Sequence, residues 1–141
     1  MANVKYNNFG AAIAKNDMDG VTIKAIFFDP SYTPNPDTEV YLSDVLSNRA
    51  SGTTDLTVSS FTITVDNTDN RTEFDIADLV TGIITVPAGT NAVGFYIDTG
   101  TTTTSEMLTY NELLLGGTQT TFFPIGGTLT ATINTNGIFS I

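Results

Sequence analysis

Residues Val21 to Val45 read VTIKAIFFDPSYTPNPDTEVYLSDV, and this stretch decides the fold class. Val21, Ile23, Ala25 and Phe27 alternate with Thr22 and Lys24 until Ile26 and Phe28 make both sides apolar. A period of two is that of a strand, so the pattern predicts one that is half-exposed at its start and buried on both faces at its end. Asp29-Pro30 ends it. Pro30, Pro34 and Pro36 keep the next residues out of a central sheet, because proline has no N–H to give to a ladder. Asp37 or Thr38 can then cap a short helix running through Val45, a side-chain oxygen accepting from the free amides of the first turn. Val40, Tyr41, Val45 and Leu46 have helix-like spacing, and no second helix is expected.

Before this stretch, residues 1–20 are small and mixed, and they predict an N-terminal arm or a first strand with a turn from Lys15 to Gly20. After it, apolar alternations recur between turn clusters at the spacing of sandwiches and jelly rolls. Leu56 and Val58 are in phase, and Phe61, Ile63 and Val65 resume after Ser59-Ser60, a slip that suggests a bulge. Phe74 and Ile76 follow a polar turn at Asp66 to Arg71, then come Ile83, Ile84 and Val86 and a loop from Pro87 to Asn91. Val93, Phe95 and Ile97 share one face, Leu108 and Tyr110 resume after a Thr-rich loop, and Phe122, Phe123 and Ile125 lie between two Gly-Gly turns. Leu129, Ala131 and Ile133 alternate before Asn136-Gly137, a strong hairpin signal that predicts a final pairing strand from Gly137 to Ile141. The expected fold is all-β, a β-sandwich of jelly-roll type with one short helix, occupying residues 21–141 as a single domain.

The 141 residues suffice for one core that buries roughly two-thirds of the unfolded surface. Fifteen acidic residues stand against five basic ones, a net charge of −10, and Lys5, Lys15, Lys24, Arg49 and Arg71 form no basic stripe. Direct binding of nucleic acid or of an anionic membrane is therefore not expected. The start lacks the basic and apolar regions of a secretory signal, and no apolar run is long enough to span a bilayer, so synthesis in a cytoplasm is expected. Cysteine is absent, which excludes disulfides and thiolate metal sites.

Histidine is absent as well, which removes the Ser-His-Asp and Cys-His arrangements and the usual zinc sites. Paired carboxylates for a glycosidase would have to come from Asp66, Asp69, Glu73, Asp75 and Asp78, without any Trp to form a sugar platform. The same acids resemble a calcium loop but fail the EF-hand template, and a turn with solvated acids is the simpler expectation. Neither an enzyme nor a cofactor or metal is expected. Asn70-Arg71-Thr72 matches a glycosylation acceptor by chance, and Thr101 to Thr104 read as a mobile loop.

Taken together, FFD at 27–29, YTPNPDTEVYLSDV at 32–45, ASGT at 50–53 before LTVSSFTITVDNT at 56–68, AVGFYIDTG at 92–100, MLTYNEL at 107–113 and the late Asn-Gly pair resemble a family of small virion proteins of tailed bacteriophages. The resemblance runs from about Val21 to Ile141 and is most specific from Tyr32 to Val45 with the Ala50 to Thr53 loop. The family frequently carries a Trp before its middle strand, where Thr54-Asp55 and Gly82-Ile83 stand here.

What the resemblance implies is a capsid decoration or cement protein, commonly a homo-trimer, that binds the major capsid protein on the outer surface of the virion. Strong acidity, which keeps many copies soluble before assembly, agrees with that role. The expected contact residues are Lys5, Tyr6 and Phe9 of the N-terminal arm and Tyr32, Pro34 and Pro36 of the Pro-rich loop, as exposed aromatic and proline anchors. The alternatives are a tail or fibre component, or a carbohydrate-binding module using Tyr41, Tyr96 and Tyr110.

Overall fold

A computed structural model describes residues 3–15, 18, 20–58, 61–76, 79–81, 89–115, 118–119, 121, 129–132 and 139–140. In chain order the elements are β1 (Val4–Lys5), α1 (Phe9–Lys15), β2 (Thr22–Phe28), α2 (Leu42–Val45) with a 3-10 turn at Leu46–Asn48, β3 (Leu56–Thr57), β4 (Thr62–Asp66) and β5 (Arg71–Asp75). They continue as β6 (Leu79–Thr81), β7 (Ala92–Asp98), β8 (Met107–Glu112), β9 (Leu114–Leu115), β10 (Thr118–Gln119), β11 (Leu129–Ala131) and β12 (Phe139–Ser140). The chain is mostly β. A five-stranded antiparallel sheet in the order β1-β8-β7-β2-β3 forms its centre, beside the β12-β5-β4 sheet and the β9-β10 and β6-β11 pairs.

β2 pairs with β7 along its whole length, from Thr22 opposite Asp98 to Phe28 opposite Ala92. Thr22 is exposed, Lys24 half-buried and Ala25 to Phe28 buried, as the alternation predicts. In β7 every residue from Ala92 to Ile97 is buried, so both faces of the central sheet are covered. Ile23, Ala25, Phe27, Val93, Phe95 and Ile97 face α1, which contributes Phe9 and Ala12, and the β4–β5 hairpin, which contributes Phe74. On the opposite face Ile26, Phe28, Ala92, Tyr96, Met107 and Tyr110 meet Tyr6, Tyr32, Leu42 and Val45. Gly94 is required at the middle of β7, because a β-carbon there would stand 2.6 Å from Phe28 Cε2 and 3.1 Å from Met107 Cε. The Phe28 ring fills that space, 4.4 Å from Tyr32 and 5.9 Å from Tyr110 between ring centres.

Two helices replace the single one expected. Residues 9–15 are helical rather than an arm or strand, because the Ala-rich run has high helix propensity and Phe9, Ala12 and Ile13 fall on the face turned to the core. The second helix begins at Leu42 and not near Asp37 or Thr38. Its cap comes from inside: one carboxylate oxygen of Asp44 accepts from Val40 N–H at 2.9 Å and Tyr41 N–H at 2.8 Å. The first-turn amides of Leu42 and Ser43 donate to the carbonyls of Ser105 and Thr102, at 2.8 and 3.1 Å. The last strand, β12, pairs with β5. Readings that fall on Ser59-Ser60, Asp78, the 82–88 stretch, residues 122–128, Ile133, Asn136-Gly137 and Ile141 lie outside the described residues.

Candidate contact surface

The structure brings the two predicted contact segments together but turns most of their side chains inward. β1 pairs with β8, Val4 opposite Tyr110 and Lys5 opposite Thr109. Tyr6 (1% exposed), Phe9 (4%) and Tyr32 (7%) are core residues, and Pro34 is buried too. The expectation of an exposed arm and exposed aromatic anchors is corrected accordingly. Each segment is the other's cover: Tyr6 O–H donates to Tyr32 Oη at 2.7 Å, Tyr32 O–H donates to Glu39 Oε2 at 2.7 Å, and Asn35 N–H donates to the same oxygen at 2.7 Å. Asn7 N–H donates to the Pro36 carbonyl at 3.2 Å and Asn7 Nδ2 to Asp37 Oδ1 at 2.6 Å. What remains outside is a cross-tied rim of Lys5, Asn7, Asn35 and Asp37, with Pro36 half-buried among them. The Lys5 ammonium rests 5.7 Å from the centre of the Phe9 ring.

Burial raises the phenol pKa of Tyr6, Tyr32, Tyr96 and Tyr110; donation to Glu39 adds to the shift of Tyr32, and donation to Asp55 at 2.8 Å adds to that of Tyr96. A raised folded-state pKa means stability that is present below the unfolded value, about 10, and is lost as pH rises above it. The expected result is alkaline unfolding above about pH 10, with these phenols ionising in step with it. Absorbance of phenolate followed together with circular dichroism checks this; ionisation complete while the fold is intact would contradict it.

Tyr96 and Tyr110 are each 2% exposed, so neither can stack on a sugar, which removes two of the three rings available to the carbohydrate reading. In the acidic turn the Arg71 guanidinium lies among the carboxylates, with Nη2 2.7 Å from Glu73, 3.2 Å from Asp69 and 3.4 Å from Asp66. A cation already occupies the position calcium would need. The backbone amides of Thr68 and Asp69 donate to Asp66 and hold its carboxyl below the usual range. Among the described residues no group of three acidic side chains is arranged to hold a metal ion.

The Thr-rich loop is cross-bonded rather than loose. Thr99 Oγ1 and Thr104 Oγ1 are 2.6 Å apart, Ser105 Oγ donates to the Thr101 carbonyl at 2.9 Å, and Gly100 N–H donates to Asp98 Oδ1 at 3.0 Å. Its exposed tip, Thr101 to Thr104, is thus held in one shape against the start of α2.

The β4–β5 hairpin presents a surface that the sequence did not single out. Ile63 lies opposite Phe74 and Val65 opposite Thr72, so these four share one face, while Thr62, Thr64, Asp66, Arg71, Glu73 and Asp75 share the other. The first face starts in the core, where Phe61 and Phe74 pack 6.3 Å apart, and runs outward to Ile63 at 41% and Val65 at 66% exposure. Alternation alone could not reveal this, since Ile63 and Val65 follow the same pattern as buried Ile23 and Ala25. Comparison of the chain with protein-family models, with curated proteins and with solved structures gave no match in any of the three.

Proposed function

We propose that the protein is a structural component of a bacteriophage particle that decorates and stabilises the capsid, built on a jelly-roll-type sandwich and bound to the major capsid protein at the outer surface. The observation that carries this reading is the rim of Lys5, Asn7, Asn35, Pro36 and Asp37, fixed in advance by the bonds between the N-terminal segment and the Pro-rich loop. A contact surface that is already ordered loses little conformational entropy on binding. The resemblance over residues 21–141 and the net charge of −10 support the same role. Many copies, each held by a modest contact, brace a shell through avidity.

Co-sedimentation with empty capsids tests the proposal. Wild-type protein is expected to pellet with shells, and Lys5→Glu, which reverses the one basic charge of the rim, is expected to need about tenfold more protein for half-saturation. Wild-type protein that stays in the supernatant would reject capsid decoration.

A further inference from the structure

Among the described residues β4 is the outer strand of the β12-β5-β4 sheet, and Thr62, Ile63, Thr64 and Val65 are all exposed, with Asp66 half-buried. Proteins usually guard an open edge with lysine, proline, a bulge or a covering element. Thr62–Asp66 carries no lysine and no proline, and its register with β5 is unbroken from Thr62 opposite Asp75 to Asp66 opposite Arg71. An extended segment can therefore add to it through backbone hydrogen bonds.

We infer that the occupant of this edge is a second copy of the chain, β4 against β4 in antiparallel register about a two-fold axis through Thr64. Only that centre engages the whole strand. It sets Thr64 opposite the partner's Thr64, Ile63 opposite the partner's Val65 and Thr62 opposite the partner's Asp66. The two Ile63–Val65 pairs cover the apolar stripe that the single chain leaves open at 41% and 66% exposure. On the other face a Thr–Thr pair and two Thr–Asp pairs bring no like charges together. Arg71 lies 3.4 Å from Asp66 while also contacting Asp69 and Glu73, and the register centred on Thr64 keeps the two Asp66 carboxylates at opposite ends of the pair, whereas a register centred on Asp66 would set them face to face. The result is one continuous sheet across two subunits, closed by the two-fold. Because each chain carries −10, association tightens as salt screens the mutual repulsion.

This inference is independent of shell binding, and light scattering on the full chain over a concentration range tests it. The expected mass of the wild type is twice the 15.0 kDa of the chain. Thr64→Lys and Thr64→Glu each place like charges at the two-fold, and each is expected to weaken association at least tenfold with an unchanged circular dichroism spectrum. An equal mixture of the two variants is expected to regain the doubled mass, which a merely structural role of Thr64 would not produce. A wild type that remains at the chain mass overturns self-pairing and leaves the edge to a strand of another protein. A tripled mass, a Thr64→Lys variant that still doubles, or a mixture that stays dissociated overturns it as well.

Discussion

Replacing Phe28 by Ala is expected to lower stability by about 3–5 kcal/mol, a large share of the roughly 5–15 kcal/mol available to a domain. The ring is fully buried and is held among Tyr32, Tyr110 and the open backbone of Gly94. Urea unfolding checks the value, with the midpoint falling and the slope little changed. The same contact gives the prediction a second part. Gly94→Ala alone forces its new methyl against Phe28 and is expected to cost about 1–3 kcal/mol by overpacking. In a Phe28→Ala background that methyl enters the vacated space, so the double variant is expected to be more stable than the two losses added together. Additivity within about 0.5 kcal/mol would show that Phe28 and Gly94 do not constrain each other.

Deleting residues 1–9 is expected to abolish cooperative unfolding or to leave only a weak, low-temperature transition. The deletion strips β1 from β8 and removes Tyr6 and Phe9, 1% and 4% exposed. Each large aromatic lost from a core costs about 3–5 kcal/mol, so the two together approach the stability of a whole domain. The Tyr32 hydroxyl also loses the bond from Tyr6. Lys5→Glu, in contrast, alters an exposed side chain and is expected to stay within about 0.5 kcal/mol of wild type. Thermal melts of the three proteins decide the matter; a truncated chain melting within a few degrees of full length would show that this segment is not part of the core. Shell binding is for this reason best probed by point substitutions on the rim, since truncation removes fold and contact surface at once.

The central strands were legible because their burial is written locally. The both-face apolar run at 25–28 can only satisfy itself in the middle of a covered sheet, and β2 occupies that place; β7, read from the one face of Val93, Phe95 and Ile97, pairs beside it with both faces buried. α1 was also legible in principle: Asn8 precedes Phe9, Ala12 and Ile13 at helical spacing, and Lys15 lies in the last turn. The short continuous apolar run from Ala11 to Ala14, which has no polar residue to mark one face, hid that signal. The start of α2 was misplaced because its capping acid, Asp44, reaches back from within the helix and its remaining acceptors come from residues 102 and 105. The exposure of Tyr6, Phe9, Tyr32 and Pro34 was misjudged for a related reason. An aromatic beside a proline looks the same whether it points to solvent or to a segment distant in sequence, and Tyr6 and Tyr32 meet each other across such a distance.

The pairing of β2 with β7 also governs how the chain can fold during synthesis. Phe28 finds Ala92 only after 64 more residues have been made, and Thr22 finds Asp98 only after 76, which at about 5–20 residues per second takes several seconds. Throughout that interval the Ile26-Phe27-Phe28 run has emerged without its main strand partner, and the Ser105 carbonyl that meets Leu42 does not yet exist. Contacts this distant in sequence raise the entropy of loop closure and slow folding. The N-terminal half therefore stays without its main strand pairing until β7 supplies the strand around which the sheet assembles.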